Sequence, residues 1–93
     1  MEIKFEKIEI LKVLEYRFPE LKLPVEKIEV KICKRNGNCF EGRLSHYHKN
    51  TNDLGFYYPD SLIGKSIEDL EWRIDLYMSR IENHAELQAE PNY

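Results

Sequence analysis

The chain has 93 residues, one domain near the small end of what closes a single hydrophobic core unaided. Hydrophobic residues make up 42% of it and aromatic residues 12%, against 33% charged, which excludes a disordered chain for want of apolar surface. The net charge is −3, and a core this small leaves little room for a buried pocket, so a large ligand would bind on a surface. Cys33 and Cys39 form no framework of the secreted kind. Residues 1–7 alternate charged with apolar positions, unlike a signal peptide, and no apolar run is long enough to span a membrane. The expectation is a cytoplasmic protein with no membrane partner.

In chain order, residues 4–18 read as a helix. Ile3, Ile10, Leu11, Leu14 and Phe18 share one side at spacings of three, four and seven, while Ile8 and Val13 fall off that stripe. Met1 to Phe5 could instead form a short strand. Pro19 closes the helix, since proline disfavours helical geometry in the residue before it. Leu21 to Val25 is an extended connection.

From Lys27 the period becomes two, with Ile28, Val30 and Ile32 alternating with Lys27, Glu29 and Lys31. Arg35-Asn-Gly-Asn38 signals a turn, and a second strand is expected from Cys39 to about His48. A three-residue turn over 36–38 sets Ile32 opposite Gly42, Val30 opposite Leu44 and Ile28 opposite His46. A two-residue turn would mix the buried and solvated faces. The favoured register makes Cys33 and Cys39 diagonal neighbours, about 7 Å apart and too far for an unstrained disulfide. Two free thiols are expected.

After the polar loop 49–53, Leu54 to Tyr58 reads as a third strand, cut by Pro59-Asp60. Ser66 then caps a helix, with Asp69 placed for a capping box and Glu68 and Glu71 favouring its positive end. Ile67, Leu70, Ile74, Tyr77, Met78 and Ile81 form its apolar stripe. The expected architecture is α+β: helix, three-stranded antiparallel β-meander, C-terminal helix, with both helices on one face of the sheet. Residues 1–84 form the domain, and 85–93 a polar tail that frays.

Trp72 and Leu76 lie opposite the core stripe of the last helix, flanked by Arg73 and Arg80. Tryptophan beside arginine is the usual anchor chemistry of a protein interface. The bland alternative covers Trp72 within the monomer.

Charge is segregated along the chain. Residues 31–49 carry Lys31, Lys34, Arg35, Arg43 and Lys49 against Glu41 alone, a local balance of +4, whereas residues 53–93 sum to −6. With Tyr47, His46 and His48, the basic hairpin could track phosphates and stack on bases. A solvated strand face is the competing account, and the acidic total favours it. His46 and His48 share a strand face, but a metal site needs further ligands that the spacing does not supply, so no metal and no cofactor are expected. No nucleophile, phosphate loop or paired-carboxylate arrangement accompanies them, and no enzyme is expected.

Helix, three strands, helix is the order of the double-stranded RNA-binding domain. That family has lysines at the start of its last helix, where this chain has Ser66-Ile-Glu-Asp-Leu-Glu71, so the likeness is topological. Phe56-Tyr-Tyr-Pro-Asp60 followed by Ser66-Ile-Glu-Asp-Leu70 resembles the strand, Pro-Asp turn and capped helix of small HicB-type antitoxins, over less than a third of the chain. Neither likeness amounts to membership. The function expected by elimination is a small non-enzymatic binding protein that occupies a larger protein partner through Trp72, Leu76, Arg73 and Arg80. Phage or mobile-element inhibitors of host defence, anti-CRISPR proteins among them, and antitoxin-like regulators act in this way. The alternative is nucleic-acid binding through Lys31, Lys34, Arg35, Arg43, Tyr47 and Lys49. A homodimer through Trp72 and Leu76 is compatible with either.

Overall fold

A computed structural model describes residues 4, 5, 7–35, 39–59 and 62–93. Three strands, β1 (Glu9–Arg17), β2 (Lys27–Lys34) and β3 (Phe40–Leu44), join the two-residue β5 (Ile63–Gly64) in one antiparallel sheet of order β1-β2-β3-β5. A second, two-stranded sheet pairs β4 (His46–Lys49) with β6 (Glu86–Ala89). One helix, α1 (Ile67–Met78), completes the described elements.

The period-two pattern of β2 sets the core. Ile28, Val30 and Ile32 are fully buried, and Leu70, Ile74, Tyr77 and Met78 of α1 close over them with Leu44 and Leu62. Each such aliphatic side chain contributes about 1.5–3 kcal/mol relative to exposure. The register read from the faces is present: Ile32 lies opposite Gly42, Val30 opposite Leu44 and Cys33 opposite Glu41. The turn itself, 36–38, lies outside the described residues, as do Ile3 and Asp60. Both cysteines are free thiols.

Among the described residues, the expected N-terminal helix is absent. Residues 9–17 instead form β1, the edge strand beside β2. Without it, the buried strand β2 would present an open row of backbone donors and acceptors on that side. Pairing satisfies them, and β-branched Ile10 and Val13 suit the pleat. Leu14 and Tyr16 pack against the core from alternate positions, while Ile10, Leu11 and Val13 stay exposed. The register shifts between Ile10 and Lys12, leaving Leu11 as the extra residue of a bulge, a device that blunts sheet edges. Among the described residues, a single helix therefore covers the sheet.

Two further segments differ from expectation. The strand expected over 39–48 breaks at Ser45, whose hydroxyl accepts the Glu29 N–H (2.8 Å) where a ladder bond would run. The chain then leaves the sheet, and His46 lies opposite Ala89 of β6 instead of Ile28. The segment expected to fray thus carries a strand, anchored further by Glu90 N–H donating to the Ser45 carbonyl (2.8 Å). The strand expected over 54–58 is reduced to one bridge, Tyr57 to His48.

Helix α1 begins where its sequence says. Ser66 Oγ accepts the Asp69 N–H at 3.1 Å. Gly64 lets this end approach the sheet, because a Cβ there would sit 3.0 Å from the Leu70 backbone nitrogen.

Candidate functional site

The apolar stripe fixes how α1 rotates on the sheet, and that rotation sorts its polar side chains. On the flank toward β1, Glu71 pairs with Lys12, and Asp75 accepts a hydrogen bond from the Tyr16 hydroxyl, which together with burial pushes the Tyr16 pKa upward. On the opposite flank lie Arg73 and Arg80. Trp72 and Leu76 face outward between the two flanks, 63% and 42% exposed. Neither β1 nor the C-terminal residues cover the indole, so the account that hides Trp72 within the monomer does not hold.

A shallow cleft of about 150 Å³ runs beside these residues. Trp72, Arg73, Leu76, Tyr77 and Arg80 form one wall, and Tyr57, Pro59 and Leu62 the other. Trp72, Arg73 and Leu76 on α1 and Arg80 in the turn just past it are thus brought together on one feature. Among the described residues, the cleft lining holds two arginines and no carboxylate. Arg73 makes an exposed i,i+4 pair with Asp69 (3.2 Å), and the Arg80 guanidinium meets no hydrogen-bonding or charged partner among the described residues.

The second wall was not legible as a site in the sequence. Tyr57 donates its N–H to the His48 carbonyl (2.9 Å), and its ring stacks on Tyr77 with centroids 5.7 Å apart. His48 is the buried histidine of the pair, 3% exposed, with Nδ1 2.9 Å from the Tyr77 hydroxyl. Burial holds its pKa below the ordinary value of 6.5, opposed by the nearby acids Asp53 and Glu82. Burial likewise drives the Tyr77 pKa upward. The aromatic run Phe56-Tyr-Tyr58 is the signal the sequence offers there, and its expected reading is the strand over 54–58. His46, expected on the core side, is half-buried with Nδ1 2.9 Å from Ser45 Oγ.

Nearby, Asn50 pins the loop to the helix end. Its side-chain amide donates to the Arg80 carbonyl (2.9 Å) and its oxygen accepts the Glu82 N–H (3.0 Å). The backbone beneath Arg80 is therefore held in place while its side chain is not.

The basic hairpin is dispersed by the same fold. Arg35 and Arg43 both reach Glu41, at 2.6 and 3.6 Å, and Lys49 pairs with Glu86 at 3.7 Å. Lys31 lies 3.9 Å above the Tyr93 ring centroid and donates to the Tyr93 carbonyl. Tyr47 packs edge-on against Tyr58, and its hydroxyl donates to Glu90 (2.9 Å). Lys34 lies opposite Phe40, apart from these pairs. The six residues thus form no common basic face with a free aromatic platform.

Among the described residues, no cluster of three or more His, Cys, Asp or Glu has metal-binding geometry, and no helix is long and apolar enough to cross a membrane. No protein-family model, curated protein or solved structure matches this chain.

Proposed function

We propose that this chain is a non-enzymatic binding protein that occupies a larger protein partner through the outer face of α1. The observation that carries this reading is the exposure of Trp72 and Leu76 beside an aromatic cleft rimmed by Arg73 and Arg80. Aromatic and arginine side chains that lose water together are the commonest anchors of protein interfaces. The cleft walls rest on buried supports, Tyr77, Ile74 and His48, so the binding face is preorganised and little ordering is needed on association. Nucleic-acid binding through the hairpin is the weaker reading, because Lys31, Arg35, Arg43 and Lys49 already have acidic or aromatic partners.

The test compares wild type with Trp72→Glu. Light scattering should give a monomer for both, with unchanged circular dichroism. Affinity capture from the source cell should recover a defined partner with wild type only. Capture that ignores Trp72→Glu contradicts the proposal. A wild-type dimer that the substitution turns into a folded monomer would assign the face to self-association.

A further inference from the structure

We infer that the cleft beside α1 takes an acidic stretch of the partner: one apolar side chain inserted between two carboxylates. The inference rests on the reading that this face binds a protein, and adds the chemistry of what it binds. The chain as a whole is acidic, with a net charge of −3, yet the described lining of this cleft has two arginines and no acid. The inversion follows from the rotation of α1. Its acids Glu71 and Asp75 are turned toward β1 and satisfied there by Lys12 and Tyr16. Arg73 and Arg80 are left along the open side. Arg80 has no partner among the described residues, and Arg73 has only an exposed pair with Asp69, which costs little to share.

Dimensions narrow the occupant. A volume of about 150 Å³ holds one apolar side chain and not the face of a helix. Arg73 sits on α1 and Arg80 in the turn just past its last residue, Met78, and both border the cleft. An extended peptide crossing both presents side chains to them at alternate positions. The matching pattern is therefore an acid, an apolar residue two positions later resting on Trp72 and Leu76, and a second acid two positions beyond that, so that all three side chains share one face. Each carboxylate can meet its guanidinium in the planar, two-bond geometry that makes arginine pairs selective.

The experiment pans a displayed library of random peptides against the immobilised full chain. Wild type, Arg73→Glu/Arg80→Glu and Trp72→Glu are used in parallel, each shown to be folded by circular dichroism. Wild type should enrich the acid–apolar–acid pattern. The double charge reversal should lose it or invert it to basic residues. A synthetic peptide of the enriched sequence should weaken about tenfold with Arg80→Glu alone, and should weaken with added salt. Trp72-dependent peptides without acidic bias, or the same peptides selected by the charge-reversed protein, overturn the inference and leave the binding face standing. Peptides selected equally by Trp72→Glu overturn the binding face as well. No enrichment by wild type overturns the inference.

Discussion

In the basic segment 31–49, Arg35 and Arg43 converge on Glu41, Lys49 reaches Glu86 and Lys31 sits on the Tyr93 ring. On the open flank of α1, Arg73 holds only Asp69, and Arg80 has no partner among the described residues. The hairpin has the larger positive sum along the sequence, but the helix flank keeps the more available cations. Strand pairing explains the inversion. Alternation along β3 puts Glu41 on the side of Arg43, the hairpin brings Arg35 to the same carboxylate, and β6 brings Glu86 to Lys49 across a separation that a window of local charge does not see. A helix on a sheet instead divides its own charges between a covered flank and an open one. The partner state of a charge, more than its local density, decides which surface can recruit a ligand.

Five substitutions or conditions break or sharpen this contrast. Ile74 lies under both regions, fully buried against Gly42 and the core. Ile74→Ala should cost about 2–5 kcal/mol in denaturant unfolding, loosening hairpin and helix together. A Cβ at Gly42 would meet Ile74 Cδ1 at 3.2 Å and Leu62 Cβ at 3.4 Å, so Gly42→Ala should cost about 1–3 kcal/mol.

Acidification should act on the second wall of the cleft. His48 is buried with a lowered pKa, so the folded state disfavours its charged form. The unfolded chain takes up that proton first, and stability present above the ordinary value of 6.5 is lost as pH falls toward the lower folded value. The groups facing the imidazole are Tyr57, Tyr77, Asp53 and Glu82. The melting temperature should therefore fall below that value in wild type and fall less in His48→Gln.

Glu41→Gln should change stability by at most about 1 kcal/mol, since its pairs are partly exposed. It should nonetheless raise retention on a polyanion column by removing the carboxylate that Arg43 reaches. Arg80→Gln should shift stability by no more than about 0.5 kcal/mol, because its side chain holds nothing in the monomer. A larger loss would mean that Arg80 has a structural task and is not free for a ligand.

The sequence revealed the parts governed by local rules. The Ser66 cap, the stripe of α1 and the β2–β3 register followed from capping chemistry, helical period and strand alternation. Residues 9–17 did not, because their apolar residues satisfy a helical spacing almost as well as a pleat, and the need of β2 for a neighbour decides between them. The break at Ser45 depends on one hydroxyl replacing a backbone partner, and the pairing of β4 with β6 spans about forty residues. At the candidate site, helical phase alone placed Trp72, Arg73 and Leu76 together, and Arg80 joins them from the turn just past α1. Tyr57, Pro59 and the support from His48 required the tertiary fold, since nothing local brings residues 48 and 57 against residue 77.

The most direct test of the contrast is site-specific photocrosslinking in the source cell, with the reactive group placed at Leu76 or, separately, at Arg43. A defined protein adduct from position 76, absent from position 43 and lost on adding Trp72→Glu, is the predicted result. Adducts from position 43 with none from position 76 would contradict it and return the functional face to the hairpin.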